Sequence, residues 1–482
     1  MEVSSNDVLG TVAVFGGGPA GLTAAHELAE RGFLVTIYER HPVLGGKCRS
    51  FTLPGTGIDG RADLPSSMGG HFFMGRVSPN LQDTLHRIPL GDHDRTVLDN
   101  LTTGNGRFMG GVLEWGLRPF SMKLSARERF STREGLSAVR TAMRFIRVLP
   151  LKDQIILLSK ALSAITSGDD RQSQQLEHLA IAEYMNADRL SEKARRIVDF
   201  PMSLGMANSQ GVNVRVLARL LQVAISAIVS PREYGDRAVG LALLNGPENE
   251  TWIDPWARLL TSFGVEIYTG HELTRLRLEH GRITGATVTD SAGNDSAVEA
   301  DWYVVAVPPD KAQSLMSSEI VAADPQLGRI RNLGRIDGVS IQILLKHKIP
   351  GLRTLFTSLD ATWHTGNEVL TSAWNLDLSD YGDGSASEYV SVQLADNSWN
   401  KLPGIVHGKP GRDCSRDELI DKVLTFLRTH IPNGAEYFAA EAIHSIEINP
   451  SAWETPDGWH IDEPLFPVTP PSLPTWVEAP AP

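Results

Sequence analysis

The chain has 482 residues, and its 45 lysine and arginine residues against 57 aspartate and glutamate residues give a formal net charge of −12. A field of this sign repels phosphate backbones, so we do not expect nucleic acid as a partner. The length exceeds what one core organises, which predicts two closely joined domains. Cys48 and Cys414 are far apart and have no second ligand at metal spacing. We therefore expect neither a disulfide framework nor a metal site, but two reduced thiols in a cytoplasmic protein.

Targeting and membrane signals are weak. The first ten residues are polar and do not have the basic-then-apolar order of a secretion signal. The longest apolar stretch, 220–229, is far shorter than the roughly 20 residues that a membrane-spanning helix needs. We predict a core or substrate-facing helix there, and the lesser alternative is a peripheral membrane contact.

The start of the chain predicts a strand, a glycine turn, a helix and a second strand. Residues 11–15 are an apolar run of strand character, and the alanines, leucines and paired charges of 22–31 favour a helix that Gly32 closes. Residues 33–38 are typical of a second strand, which stops at Glu39. This order is typical of a dinucleotide-binding unit.

The glycine turn between the first strand and the helix fits a diphosphate. Gly16 permits the tight turn, Gly18 lets the backbone approach a pyrophosphate, and Gly21 lets the helix lie close to the strand. The unpaired amides and the positive dipole end of the helix favour an anion. The turn residues that we assign to cofactor binding are Gly16, Gly18, Pro19, Ala20 and Gly21.

An acid at the end of the second strand narrows the choice of dinucleotide. Glu39 follows Gly21 by 18 residues, at the distance where a carboxylate accepts hydrogen bonds from the ribose hydroxyls of an adenosine. An unphosphorylated ribose is implied, so FAD or NAD fits better than NADP.

A second glycine pair follows this acid. The stretch from Arg40 runs through Gly45, Gly46 and Lys47 to Arg49, and it resembles the extension of the flavin amine oxidase and phytoene desaturase superfamily. In that superfamily the glycine pair and its base lie along the cofactor, which implies FAD and assigns Arg40, Gly45, Gly46 and Lys47 to its binding. The amides of a Gly-Gly step can converge on an anion that Lys47 or Arg49 would neutralise. The alternative is a surface turn with solvated bases.

The resemblance runs from about residue 11 to residue 465. Segments 64–73, 81–89, 246–256 and 264–308 are similar to bacterial carotenoid desaturases and hydroxysqualene dehydroxylases. The resemblance implies an α/β fold, with a Rossmann-like FAD-binding domain of the GR2 type and an interleaved α+β substrate domain. It further places Gly70 beside the flavin and the main chain of Leu273 beside the adenine, although Leu273 could equally belong to the core.

His71 is the candidate catalytic residue. Gly69 and Gly70 before it allow a close approach to the isoalloxazine, and imidazole can shuttle a proton near neutral pH. The alternative is a hydrogen-bonding residue in the wall of the site. Trp252 and Trp256 could line a cavity or pack in the core.

The pattern divides the chain into five segments. These are a first part of the FAD-binding domain (8–112), a helical lid region (113–240), a second part of the FAD-binding domain (241–320), a substrate-domain sheet and helix (321–450) and a proline-rich tail (451–482). Helices are predicted over 136–148, 152–166, 181–186, 191–199, 214–229 and 417–430, without strands inside the lid region. Strands are predicted over 264–268, 281–288, 301–308, 339–345 and 389–394, with a hairpin turn at 290–293.

The C-terminal part departs from the superfamily pattern. Members of the superfamily end with a strand, a Gly-Asp pair and a long helix beside the flavin, whereas residues 467–482 contain too much proline for a helix or a central strand. We expect that this cofactor clamp is missing. A second polypeptide that supplies it is the favoured explanation, and a truncated gene or a loss of redox chemistry are the alternatives.

The expected function follows from the resemblance. It implies a FAD-dependent oxidoreductase that moves a hydride from a hydrophobic, isoprenoid-like or secondary-metabolite substrate to flavin. The alternatives are a flavin amine oxidase and a non-catalytic nucleotide-binding subunit of a heteromeric complex.

Overall fold

The computed structural model describes residues 9–74, 78–102, 107–111, 120–123, 146–204, 209–229, 241–350, 355–358, 363, 365–394, 397–404, 406–464 and 466–468. The α-helices are Pro19–Glu30, Pro79–Arg87, Leu151–Ile165, Asp169–Gln174, Ile181–Tyr184, Glu192–Leu204, Val214–Val229, Asp254–Ser262, Pro309–Leu315, Ser318–Ala323, Arg416–His430 and Gly434–Tyr437. No helix of the described residues combines the length and hydropathy needed to cross a bilayer.

A four-stranded parallel sheet, the cofactor sheet, organises the first domain. Its strands lie in the order Glu266–Thr269, Leu34–Glu39, Thr11–Phe15 and Trp302–Val305. Alternate residues of the strand Thr11–Phe15 point to opposite faces. Val12 and Val14 pack in the same core as the helix Pro19–Glu30, whereas Ala13 and Phe15 pack against an antiparallel meander. The meander consists of His271–Glu279, Arg282–Asp290 and Asp295–Val298.

A seven-stranded sheet, the cavity sheet, organises the second domain. Its order is Phe120–Lys123, Arg107–Gly111, Leu355–Ser358, Thr365–Val369, Glu388–Leu394, Val339–Leu345 and Ile443–Ile448. The strands are antiparallel to their neighbours except for Leu355–Ser358 and Arg107–Gly111, which are parallel.

The two faces of the cavity sheet differ in chemistry. On one face Ile341, Ile343 and Val392 belong to the core that includes residues of the helix Arg416–His430. The alternate residues Ser340 and Gln342 lie on the opposite face and are also buried. This polar inner face contacts the first domain, because Gln342 bonds the main chain of Ser67.

Shorter strands complete the two domains. They pair as Ser50–Thr52 with Pro65–Ser67, Leu241–Leu244 with Phe73–Met74 and Leu101–Thr102, Pro89–Leu90 with Asp92–Thr96, Gly334–Ile336 with Phe466–Val468, and Ala452–Thr455 with Gly458–Ile461.

Most predicted elements are present within one or two residues of their expected bounds. The predicted helix 214–229 is observed as Val214–Val229, the predicted helix 417–430 as Arg416–His430, and the turn at 290–293 joins two paired strands. The prediction of a strand-free lid region is wrong at Phe120–Lys123, which forms an edge strand of the cavity sheet. A four-residue strand gives too short an alternation to distinguish it from the helical pattern around it. Residues 136–145 of the first predicted helix lie outside the described part.

Candidate active site

The first glycine turn is built for close packing. Gly16 has a φ of 108°, and a Cβ there would contact the carbonyl oxygen of Ala306, while a Cβ on Gly21 would collide with the carbonyl oxygen of Gly16. The helix Pro19–Glu30 starts at Gly18 without a side-chain cap. Its first amides therefore remain available for an anion.

The second glycine pair packs directly against this turn. The Gly45 amide donates to the Gly17 carbonyl at 2.9 Å, and both Gly45 and Gly46 have a positive φ. A Cβ on Gly46 would lie 3.1 Å from the α-carbon of Gly18. The two glycine segments, separated by about 25 residues of helix and strand, thus form one backbone-lined surface.

Glu39 is fixed at the end of its strand. Its side chain is buried and accepts hydrogen bonds from the amides of Gly17 at 2.6 Å and His41 at 2.8 Å. These two bonds orient the carboxylate beside the glycine turn, where the sequence predicts a ribose.

These parts surround one cavity of about 320 Å³. The predicted cofactor residues that line it are Gly16, Gly18, Pro19, Ala20, Glu39, Arg40, Gly46, Lys47 and Leu273. Gly21 and Gly45 lie behind this surface as described above. Gly70 and His71 are not part of the lining and lie beyond its Lys47 end. A helix N-terminus, a backbone cradle that a Cβ would fill and a fixed carboxylate together fit a dinucleotide.

Glu463 also lines this cavity, and no sequence signal pointed to it. Its side chain is only 8% exposed and forms ion pairs with Arg40 at 3.1 Å, His41 at 2.9 Å and Arg49 at 2.9 Å. Burial opposes its ionisation, but the hydrogen bonds from His41 and Arg49 outweigh this effect and hold the pKa of Glu463 well below its usual range. The neighbouring Asp462 pairs with Arg40 at 2.8 Å.

The C-terminal part of the described chain therefore reaches the cofactor cavity at Glu463. The sequence predicts neither a helix nor a central strand over 467–482, and Phe466–Val468 pairs with Gly334–Ile336 as one strand of a two-stranded sheet, while Glu463 faces the cavity. The missing cofactor clamp stays a prediction. Pro467 is tolerated because the pair has only two strands, so its missing amide breaks no central ladder. Residues 469–482 lie outside the described part.

The polar inner face of the cavity sheet holds the segment before His71. Gln342 Nε2 donates to the Ser67 carbonyl at 3.0 Å, and Asn449 Nδ2 donates to the Met68 carbonyl at 3.2 Å. The Tyr389 hydroxyl accepts from the Ser67 amide at 3.0 Å. Three side chains of the second domain thus fix two residues of the first.

His71 lies in a partly buried group of titratable side chains. Its Nδ1 is 2.9 Å from Glu248 Oε1, which also accepts from the Ser67 hydroxyl at 2.8 Å, and its ring bonds the main chain of Lys47. Burial opposes protonation, but the bond to Glu248 outweighs it and raises the pKa of His71. With both ring nitrogens engaged, the ring links the cofactor cavity to Glu248. Its role as a proton shuttle stays a prediction.

Glu368 explains why glycine stands before His71. A Cβ on Gly70 would collide with the carboxyl group of Glu368, and a Cβ on Gly69 would lie 3.0 Å from Ser340 Oγ. Burial raises the pKa of Glu368 to about 8, so this acid is neutral at pH 7. The glycine pair accommodates the cavity sheet, a reason that differs from the predicted approach to the flavin.

Trp252 and Trp256 are core residues. Both are buried, with their rings stacked at 6.2 Å, and Trp256 Nε1 donates to His26 Nδ1 at 3.1 Å. The possibility that they line a cavity is therefore corrected to packing against the helix Pro19–Glu30. Both cysteines are free thiols, and burial raises the pKa of Cys48 to about 12. No group of metal-ligating side chains is found in the described ranges.

A parallel sheet that ends in a glycine-lined cavity for a dinucleotide, together with a second, antiparallel sheet, fits the class of two-domain flavin-dependent oxidoreductases. Residues 19–474 match the family described as flavin containing amine oxidoreductase. The chain belongs to this family of flavin-containing oxidoreductases. The predicted FAD cofactor and the predicted α/β fold are confirmed.

Two curated relatives share parts of the sequence. A zeta-carotene desaturase from Synechocystis sp. is 22% identical over 312 residues, which cover 61% of this chain and 57% of that protein. A carotenoid phi-ring synthase from Streptomyces griseus is 47% identical over 77 residues, or 16% of this chain and 14% of that protein. The chain therefore aligns with less than two thirds of the length of either relative.

Solved structures share the fold over most of the chain. An oxidoreductase from Methanosarcina mazei superposes with a TM-score of 0.57 at 15% identity, over 91% of this chain and 87% of that one. A double mutant of putrescine oxidase gives a TM-score of 0.57 at 14% identity, over 92% and 85%. At these identities the likeness concerns the fold alone.

Proposed function

We propose that the protein is a dehydrogenase or desaturase that transfers a hydride from its substrate to the flavin. The observation that carries this proposal is the position of Lys47, which lines the cofactor cavity and bonds His71 through its main chain. A dinucleotide with its ribose at Glu39 and its diphosphate at Gly18 extends toward Gly46 and Lys47. The reactive ring then lies where the polar inner face of the cavity sheet meets His71.

The chain's own residues would bind and orient the substrate rather than react with it. When bound, FAD supplies the hydride acceptor, and hydride transfer needs no nucleophile from the protein. The cavity sheet and the Ser67–Met68 segment that it fixes form a rigid wall against this ring. Such a wall favours a short donor-to-acceptor distance and excludes water.

An isoprenoid-like or secondary-metabolite substrate is the first candidate. The similarity to a protein named zeta-carotene desaturase, over 61% of this chain, supports it. Amine oxidation is the second candidate, and it is favoured by Glu248, a buried carboxyl group near the predicted ring position. A buried carboxylate can hold a substrate ammonium in place.

A second polypeptide that completes the FAD site is part of the proposal. Glu463 lines the cofactor cavity from within the chain, and we place the partner at the ring end. A non-catalytic nucleotide-binding subunit is the alternative from a different class.

Absorbance of the purified protein tests the proposed function. Purified together with its partner, a redox enzyme shows a flavin spectrum near 1:1 FAD, which bleaches without oxygen when a substrate is added. Glu39→Ala should lose FAD, because the ribose then has no acceptor, whereas the exposed Glu299→Ala should keep it. A spectrum that no isoprenoid or amine bleaches, even after co-expression with neighbouring genes, would favour the non-catalytic subunit.

A further inference from the structure

Four buried polar atoms on the inner side of the site have no hydrogen-bond partner. Among the described residues these are Glu248 Oε2, Ser340 Oγ, Gln342 Oε1 and Glu368 Oε2. Their residues are at most 4% exposed. Native proteins leave few such atoms unpaired, and a group of them at one place calls for a ligand or ordered water.

The four residues converge on one short segment. Gln342 and Glu248 both bond Ser67, Ser340 borders Gly69, and Glu368 borders Gly70. Glu248 and Glu368 also interact electrostatically with each other and with His71. The unpaired atoms therefore surround the segment 67–71 at the Lys47 end of the cofactor cavity.

Existing bonds decide which role two of these atoms can take. The amide nitrogen of Gln342 already donates to Ser67, so its free Oε1 is an acceptor. Glu248 Oε1 accepts from Ser67 and pairs with His71, so the free Oε2 is an acceptor as well. Ser340 and a neutral Glu368 can each donate or accept. The group as a whole requires a partner with N–H or O–H donors.

A purely apolar chain cannot meet this requirement. A hydrocarbon placed here would leave two buried acceptors without a donor, which is unfavourable compared with water. The charges of the site do not oppose a polar group of a substrate, since His71 is paired with Glu248 and Glu368 is neutral at pH 7.

We propose that Glu248, Ser340, Gln342 and Glu368 form a subsite for a hydrogen-bond-donating group of the substrate, either a hydroxyl or a protonated amine. The inference rests on the proposed function, which places the flavin ring beside this subsite. It adds that the substrate carries a polar group close to the reacting carbon, even where the rest of the molecule is apolar.

A matched set of probes tests the subsite. Farnesol, farnesylamine and farnesyl methyl ether share one hydrocarbon chain, and only the ether has no donor. Each is titrated anaerobically into the FAD-loaded full chain, and the change in the visible flavin spectrum gives its Kd. We expect farnesol or farnesylamine to bind at least tenfold more tightly than the ether, and the tighter of the two identifies the donor. Equal affinities for all three, including no binding of any, would overturn the subsite.

Two variants connect this preference to the residues. Ser340→Ala and Glu368→Gln should each reduce the tenfold preference for the donor-bearing probe over the methyl ether by at least threefold. Ser391→Ala is the matched control, because Ser391 is buried in the same sheet but its hydroxyl bonds Gln393. If Ser340→Ala weakens FAD binding instead and leaves the probe preference unchanged, the atoms serve the cofactor and the proposal fails.

Thermal unfolding gives a readout that needs no probe. Removing an unpaired hydroxyl should leave the Tm of Ser340→Ala unchanged or higher, whereas Ser391→Ala should lower it. An equal decrease in both variants would show that Ser340 Oγ is bonded within the protein and would contradict the subsite. The proposed function and the subsite can fail separately. If the methyl ether binds as tightly as the other two probes and reduces the flavin, hydride transfer is supported and the subsite is overturned. If the probes with a donor bind more tightly but never reduce the flavin, the subsite is supported and hydride transfer is overturned.

Discussion

Glu463 combines burial with contacts to three basic side chains, those of Arg40, His41 and Arg49. A buried carboxylate in such a group is held by the sum of its pairs, so its removal takes away the carboxylate that pairs with Arg49 and leaves Arg40 paired with Asp462. The pairs join residues more than 400 positions apart, which makes them a link between the two ends of the described chain.

Replacement of this acid should destabilise the protein. We expect Glu463→Gln to lower the free energy of unfolding by about 3 kcal/mol, since it breaks a largely buried ion-pair group. Denaturant unfolding measures the change, and Glu299→Gln, an exposed partner of Arg277, should stay near the wild-type value. A free energy of unfolding of Glu463→Gln equal to that of the wild type would mean that Arg40 and Arg49 do not depend on this carboxylate.

The same acid predicts a pH dependence. The pKa of Glu463 in the folded chain lies below the ordinary value of 4.5, so its contribution is fully present above that pH and is lost as the pH falls below it. The stability difference between wild type and Glu463→Gln should therefore shrink between pH 5 and pH 3. Unfolding curves of both proteins at several pH values measure it, and a constant difference would contradict the ion pairs.

Glu368 predicts a pH dependence of stability with the opposite sign. Its pKa is about 8 when folded and 4.5 by default, so the folded chain binds one extra proton between these values. Stability should fall as the pH rises through this window, by up to about 1.4 kcal/mol for each pH unit. Glu368→Gln should abolish that slope and be the more stable protein at pH 9. Unfolding at pH 5, 7 and 9 provides the comparison, and parallel profiles would show an ordinary carboxyl group.

At the scale of elements, the two glycine segments act as one binding surface. Gly46 combines a φ of 52° with a predicted 3.1 Å contact between an added Cβ and Gly18. We expect Gly46→Ala to weaken FAD binding by at least tenfold, because the segments must separate to admit the methyl group. Gly55→Ala is the control, since Gly55 has a φ of 77° but nothing near its Cβ position. Titration with FAD, followed by flavin fluorescence, measures the affinity of both variants. An equal loss of affinity in Gly46→Ala and Gly55→Ala would indicate backbone strain alone and not the contact with Gly18.

Local elements were predictable wherever a periodic pattern or a turn defined them. The strand Thr11–Phe15, the following helix and Glu39 all follow from hydrophobic runs and glycine positions within 30 residues. Contacts between distant parts of the chain could not be predicted, because no local feature links Glu463 to Arg40 or Glu368 to Gly70. Ser340 and Gln342 alternate with isoleucines, a pattern that could have indicated two unlike faces but not what the polar face would meet.

At the scale of the whole molecule, the open question is whether one chain retains FAD. The proposal of a partner predicts that the chain purified alone contains well under one FAD per protein, whereas the co-expressed complex approaches one. Flavin absorbance combined with size-exclusion chromatography and light scattering measures both. A fully loaded, active monomer would remove the partner from the proposal.

The pairing of Arg40 with Glu463 has a consequence for biogenesis. Arg40 meets Glu463 across a separation of 423 residues, and a ribosome adding roughly 5 to 20 residues per second needs about 20 to 85 s to cover it. During that interval the two glycine segments have been synthesised but Glu463 has not. The nascent protein therefore passes through a stage in which Arg40 and Arg49 do not yet have the carboxylate of Glu463 as a partner.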